Sequence, residues 1–560
     1  MKNNRLTHRR KNGQQIIAAW GLLFWLAAGV SCAAFTAASP AADTLQALLT
    51  PALPASLDDP ASQDDLASGP LTLAELARFY AVRDYRPLWS SASAERAWEA
   101  ALADLVEDGL DPAWYLGQVP AAATSDSPCR ELARTAAWLQ AQLDLRFGAL
   151  DRETIEPLWR LRPATTAEQR RTLLGSANAF AVNPAAALAA ARPDLPVYRV
   201  LREALRELLA ESTAEPWPEV PRGALLRPGQ SDPRVPLLRA RLQAGDYLPD
   251  AATTAASLNY DTALVQAVES FQRRHALAVD GLVGPATLAA LNETREQRSA
   301  RLRANLERWR WLGQEQLRHQ ILVDIAAAEI RYYRDGELRW SARSTVGQSL
   351  RQTPSLRSAV SHFTLNPHWT VPPTILRQDK LPAIRANPEY LAEQNLQVLD
   401  AQGQELDPAT VDWRRPGAIV LRQQPGPGNA LGQVAIRFPN PFSVYLHDTP
   451  SKQLFARAQR TDSSGCVRVE DVLTLVEQLL RSNNQFDPTA FAERLASGVT
   501  SDLPLLAPVP LLMDYWTADL DGSGKLVLRP DSYARDEALA AAISARPRPL
   551  LALPATCPTL

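Results

Sequence analysis

The sequence predicts a multidomain chain: a mostly α-helical N-terminal region, a small α-helical module, then a β-rich domain interrupted by an insertion. Three observations carry that prediction. At 560 residues the chain is too long for one hydrophobic core, so two to four domains are expected. Apolar residues recur at helical spacing up to about residue 311, and strand signals dominate after it. The 44 prolines cluster in a few stretches that read as linkers. Composition is globular, with 46% hydrophobic and 21% charged residues. A formal net charge of -2 leaves no basic excess to attract nucleic acid.

Taken in order, Lys2, Arg5, Arg9, Arg10 and Lys11 precede an uncharged run over 16–38. Residues 1–40 therefore read as an inner-membrane anchor with a cytoplasmic N-terminus, or as a cleaved signal peptide. Either way the remainder is exported, and a periplasmic location is expected. Cys32 follows Gly29-Val30-Ser31, and a lipoprotein signal would carry Leu at position 29. Residues 41–65, rich in Ala, Pro, Ser and Asp, read as a linker. Over 66–212 the pattern is helical: Leu73, Leu76, Ala77 and Tyr80 share a face, and helices are predicted near 94–107, 129–147 and 197–209. Ala214-Glu215-Pro216-Trp217-Pro218 closes this region. Residues 227–292 form a compact helical module, with Pro285 at the first turn of its third helix. A basic connector helix follows over 296–311.

Strands are predicted over 321–325, 329–334 and 338–346, with Asp335-Gly336 as a hairpin turn. More are predicted over 418–422, 433–438 and 443–447. A Pro-rich, partly helical insertion separates the two groups, and 469–480 is an amphipathic helix.

The residues that carry chemistry are Tyr445-Leu446-His447-Asp448-Thr449-Pro450 and Ser463-Ser464-Gly465-Cys466-Val467-Arg468-Val469. A thiol nucleophile needs a base within reach in space rather than in sequence. A His ending one strand and a Cys on the following turn can meet across a sheet. Gly465 allows a tight bend beside the thiol, and the amides around Gly465 and Cys466 are candidates for stabilising an oxyanion. Of the four cysteines, removing Cys32 with the leader leaves Cys129, Cys466 and Cys557, so at least one thiol lacks an intrachain partner. Of six histidines, His447 alone lies near a glycine-flanked cysteine in the strand-rich region. From the pair alone two readings stand: a catalytic dyad, or an inert buried thiol beside a structural imidazole.

These motifs resemble the YkuD-type L,D-transpeptidase catalytic domain over residues 318–482. Ser464 stands where most members have His, which matches the long YcbB-like branch. Further matches are Val346-Gly347 with Arg351-Gln352-Thr353-Pro354, Asn366-Pro367-His368-Trp369-Thr370-Val371-Pro372-Pro373, and Phe438-Pro439-Asn440. Phe79-Tyr80 and Asp108-Gly109-Leu110-Asp111-Pro112 resemble that branch's helical scaffold. Asp280-Gly281-Leu282-Val283-Gly284-Pro285 resembles a peptidoglycan-binding module. The resemblance implies a β-sandwich-like catalytic domain, a capping insertion over about 376–417, and a C-terminal extension over 483–560 packing back on the other domains.

It also implies a reaction. Cys466 would attack a tetrapeptide stem, with His447 as base and the Asp448 carbonyl orienting that base. The resulting thioester would be resolved by a second stem's diaminopimelate amine, giving a 3→3 cross-link. Arg468, Tyr445, Trp369 and Ser464 match positions near the substrate cleft. Peptidoglycan stems are the implied partners, together with other cell-wall synthesis enzymes, and carbapenems would acylate Cys466. No cofactor or metal is implied: Asp519-Leu520-Asp521-Gly522-Ser523-Gly524 begins like a calcium loop, but its twelfth position is Pro530. Two alternatives stay open. Water as acceptor gives an L,D-carboxypeptidase, and an inert cysteine domain gives a wall-binding protein.

Overall fold

The computed structural model describes residues 40–53, 69–119, 127–160, 166–211, 215–249, 256–312, 318–387, 389–547 and the single positions 551, 553 and 557. The anchor or signal segment, apart from its last residue, and Cys32 lie outside the described residues. Among the described residues no helix is long and apolar enough to cross a membrane.

Residues 40–49, read above as leader and linker, form a helix whose Leu45 and Leu49 are buried in the helical core. That core gathers Trp89, Trp98 and Trp138 with Phe79 and Tyr80, around the helix Pro128–Phe147. The helix Leu73–Val82 opens with a capping box between Thr72 and Glu75. In the small module, helices Val235–Gln243, Thr262–Arg274 and Pro285–Leu291 enclose a separate core around Leu238, Val268 and Phe271.

In chain order the strands are β1 Trp159–Arg160, β2 His319–Asp324, β3 Glu329–Arg334, β4 Glu337–Thr345, β5 Leu356–Leu365, β6 Trp369–Thr370 and β7 Leu396–Leu399. After them come β8 Val420–Gln423, β9 Val434–Arg437, β10 Leu446–His447, β11 Val467–Val469, β12 Ser501–Asp514, β13 Ala518–Leu520 and β14 Leu526–Leu528. The main sheet runs β1-β5-β12-β2-β3-β4-β11-β10-β9, and β5 also pairs with β9. The sandwich therefore closes on itself, with β1 added alongside β5. The β3–β4 turn has positive φ at both Asp335 and Gly336, the mirror-image turn that suits a right-twisted hairpin.

Three segments are built more deeply into their neighbours than the sequence indicates. The segment read as a C-terminal extension supplies β12, which lies between β5 and β2 inside the catalytic sheet. Its Pro504, Pro508 and Pro510 disguise it, because proline lacks a ladder donor. The fold accommodates them: pairing with β2 begins at Leu511, and a bulge interrupts the β5 register between Pro504 and Val509. Second, the region read as scaffold contributes β1 to the same sheet.

Third, the helix Arg295–Leu312, read as a basic connector, is a largely buried strut. Its Arg308 is fully buried between Glu156 and Asp536, and Arg310 pairs with Glu307. A buried guanidinium is tolerated only with such partners.

The insertion has its own core of Trp369, Val371, Ile384, Leu391, Leu396, Val398, Leu421 and Leu431. It is built on the three-stranded sheet β6-β8-β7. This cap thus extends on both sides of 376–417, because the strands at its base belong to it.

Candidate active site

The site is laid out by strand register. β10 and β11 run parallel, pairing Leu446 with Val467 and His447 with Arg468. Strand side chains alternate, and Leu446 and Val467 are fully buried in the sheet core. Tyr445, His447, Cys466 and Arg468 therefore share the opposite face. The amide of Val467 donates to the Tyr445 carbonyl at 3.1 Å, fixing Cys466 beside Tyr445 and diagonal to His447. The Tyr445 and His447 rings meet edge to face at 5.5 Å.

His447 is held by its own neighbour. Its Nδ1–H donates to the Asp448 carbonyl at 2.5 Å, leaving Nε2 as the proton acceptor. Asp448 is anchored in turn. Its amide donates to the Val434 carbonyl at 2.9 Å, and its carboxylate accepts from the Gln433 amide at 2.9 Å and pairs with Lys452. Gly432 sits at φ +59°, and a Cβ there would land on the Asp448 carboxylate.

The cysteine turn is braced by hydroxyls. The Ser463 Oγ donates to the Cys466 carbonyl at 2.5 Å and accepts from the Gly465 amide at 3.1 Å. Thr353 Oγ1 donates to the Gly465 carbonyl at 3.0 Å and accepts from the Gly347 amide at 2.8 Å. Gly465 has φ +112°, a conformation that favours glycine. Its amide is spent on Ser463, so of the two amides considered for an oxyanion, only that of Cys466 is left to serve.

Burial sets the protonation of the pair. It pushes the His447 imidazolium down to about 3, helped by the charge of Arg468, while the Asp448 carbonyl opposes the shift. Burial likewise raises the Cys466 thiol above its ordinary value. Tyr445, through its backbone and hydroxyl, and the cations Arg437 and Arg468 pull the other way. The resting pair is thus a neutral thiol and a neutral imidazole. Cys466 is the free cysteine among the described residues, since Cys129 and Cys557 form a disulfide.

The remaining candidates fall around this pair at different depths. Trp369, on β6 of the cap, and Cys466 both lie within hydrogen-bonding reach of the Tyr445 hydroxyl. Ser464 is exposed and accepts from Arg351 at 2.9 Å. Arg468 is partly buried on the His447 face.

Several contributors are not singled out as site residues in the sequence. Arg437 stacks over Tyr445 at 4.3 Å. Tyr533, about 70 residues beyond the cysteine, donates to the Gly347 carbonyl at 2.7 Å and accepts from the Thr353 amide. Thr353 and Asn440 lie in motifs noted above; Asn440 fixes the turn before β10 by bonds to both backbone groups of Val444.

Comparison with known proteins places His447 and Cys466 within a matched segment. Residues 318–489 match a family described as "L,D-transpeptidase catalytic domain", residues 74–205 one described as "Scaffold domain", and residues 231–291 one described as "Putative peptidoglycan binding domain". A Haemophilus influenzae protein named "Putative L,D-transpeptidase" is 37% identical over 219 residues, which are 39% of this chain and 44% of that relative. The chain thus matches less than half of that relative's length. The solved structure of an L,D-transpeptidase from Xylanimonas cellulosilytica is 16% identical, covers 53% of this chain and all of its own, and has a TM-score of 0.17, too low to carry weight. A parallel β10–β11 pair presenting His447 beside Cys466, within the matched segment, leads to one assignment: residues 318–489 belong to the L,D-transpeptidase catalytic-domain family, in a chain that also carries a scaffold domain and a peptidoglycan-binding domain.

Proposed function

We propose that the chain forms 3→3 cross-links in peptidoglycan through a thioester on Cys466. The observation that carries the reading is the shared sheet face of Cys466 and His447, with Nδ1–H committed to the Asp448 carbonyl and Nε2 left to accept a proton. The Cys466 thiol passes its proton to His447 Nε2 as Sγ attacks the carbonyl carbon of the third, L-centred residue of a tetrapeptide stem. The C–N bond to the terminal D-residue breaks, and that amine leaves with the proton from His447. The diaminopimelate amine of a second stem then attacks the thioester, loses a proton to His447, and the Cys466 thiol is restored. Because both groups rest neutral, proton transfer accompanies attack rather than preceding it.

In this reading Tyr445 and Trp369 line the donor cleft, Arg468 shares the sheet face of Cys466, and the cap shields the site from water. Carbapenems are acyl donors of the same kind and acylate the same thiol. The exported location belongs to this proposal, and the Cys129–Cys557 disulfide supports it, since such bonds persist in oxidising compartments. An orphan thiol among disulfide-bonded cysteines is also what a nucleophile in that compartment requires.

The test incubates the full chain in mild detergent with disaccharide-tetrapeptide, beside Cys466→Ala, and reads products by mass spectrometry. A 3→3 dimer made by the intact thiol alone is the expected result. Tripeptide without dimer would assign a carboxypeptidase, and unaltered tetrapeptide would assign a wall-binding role.

A further inference from the structure

Arg351 occupies an unusual junction. It sits in the loop between β4 and β5, and that loop is bound rigidly to the cysteine turn. The Gln348 amide donates to the Ser463 carbonyl at 3.0 Å, Thr353 bonds to Gly465, and Tyr533 clamps Gly347 and Thr353 together. A Cβ on Gly347 would strike the backbone of the same loop, so the loop folds tightly on itself. Arg351 is therefore fixed relative to Cys466, and one of its nitrogens donates to Ser464 Oγ, two residues from the thiol.

Its carboxylate partner comes from elsewhere. Arg351 grips both oxygens of Asp379 in the cap, at 2.6 and 2.9 Å, and also donates to Gln378 Oε1 at 2.6 Å. Asp379 lies in a π-helical turn, Leu376–Lys380. Such turns recur at functional sites because they hold a helix locally out of register. Within the same turn, Lys380 points its ammonium over the rings of Trp369 and Tyr390. The Asp379 side chain is 44% exposed while that of Arg351 is 18% exposed, so solvent reaches the pair from the aspartate's side and another carboxylate can compete for the guanidinium there.

We propose that Arg351 is the donor site's receptor for the terminal carboxylate of the stem, and that Asp379 fills this seat until a stem displaces it. The inference rests on the transpeptidase reading above. In that reaction the leaving D-residue ends in a free α-carboxylate, one residue beyond the attacked carbonyl. An extended residue spans about 3.5 Å, so the carboxylate falls close to Cys466, in the neighbourhood that Arg351 reaches through its bond to Ser464. A planar guanidinium takes a carboxylate through two parallel hydrogen bonds, the geometry it now uses on Asp379. A longer stem would put an uncharged amide at that position, so the residue also selects stem length.

The test measures thioester formation on Cys466 in the full chain with two donors: disaccharide-tetrapeptide, and the same compound with its terminal carboxylate converted to a primary amide. The wild-type chain should prefer the acid by roughly 10- to 100-fold in kcat/KM, the range for a hydrogen-bonded charge. Arg351→Ala should lose that preference through the acid donor alone, and Arg351→Lys should keep part of it. Asp379→Asn, which removes the competing carboxylate, should raise kcat/KM for the acid more than for the amide.

Labelling of Cys466 by iodoacetamide at the wild-type rate checks that each variant keeps its cysteine turn. Should Arg351→Ala fail that check, Asp379→Asn decides, and an unchanged acid-to-amide ratio there would overturn the proposal. Equal use of both donors by the wild type would overturn it too, while leaving the transpeptidase intact. No thioester from either donor, with Cys466 still alkylated, would sink the transpeptidase reading and this seat with it.

Discussion

In the proposed reaction two protons decide how Cys466 works, one on the buried His447 and one on the half-buried thiol. With the thiol raised and the imidazolium lowered to about 3, no pH exists at which a thiolate and an imidazolium dominate together. Alkylation of Cys466 by iodoacetamide should therefore climb steadily from pH 5 through pH 9. A plateau between pH 5 and 8 would reveal a preformed ion pair instead. The same shift bears on stability. In the unfolded chain His447 takes up a proton near pH 6.5, which the native site refuses until about pH 3, so stability falls as pH drops through that window. From pH 7 to 5 the loss is about 2 kcal/mol, and His447→Asn should remove that share of the change in urea midpoint. His275, buried and lowered in the same direction, keeps its own share. A third residue-scale expectation concerns Gly432. An alanine there collides with the Asp448 carboxylate whose backbone holds His447, and it should cut acylation roughly 10- to 100-fold. Acylation at the wild-type rate would show that Asp448 is not needed to position the base.

At the scale of elements, β12 decides what counts as the catalytic unit. It pairs along nine positions with β5 and four with β2, so removing it opens the closed sheet at its centre. A chain cut after residue 489, the end of the family match, should yield no cooperatively folded protein by thermal circular dichroism. A soluble, reactive product would refute that. The strut helix makes a comparable demand. Arg308→Ala leaves Glu156 buried without its cation and Asp536 with Arg301 at 3.7 Å, a loss of about 3–5 kcal/mol. Its denaturation midpoint should fall accordingly, even though the site lies in another part of the sheet.

At the scale of the molecule, the domains are stitched rather than strung. β1 joins the helical region to the catalytic sheet, Arg152 pairs with Asp514 of β12, and Arg546 pairs with Asp144 of the helical core. The Cys129–Cys557 bond closes the last span. The helix at 40–49 belongs to the same body. A chain lacking 1–53 should melt several degrees below one lacking 1–39, since burying Leu45 and Leu49 contributes about 1.5–3 kcal/mol each. Equal melting temperatures would return that helix to the status of a spacer.

The sequence by itself determined the order of helical and β-rich regions and the hairpin at Asp335-Gly336, and it singled out His447, Cys466 and Arg468 as candidates. Each is written in local signals: apolar period, a turn dipeptide, a glycine before a thiol. Only the tertiary structure decided the rest. β12 was hidden because its prolines mimic a loop, and β1 because two residues carry no period. Gly432 and Tyr533 lie in segments that resemble the YcbB-like branch, but no local pattern gives them, or Arg437, a role at the site. The spent amide of Gly465 and the neutral state of the pair are likewise decided by tertiary structure. Hydrogen-bond partners and burial arise from packing across distant segments, and a one-dimensional pattern records neither.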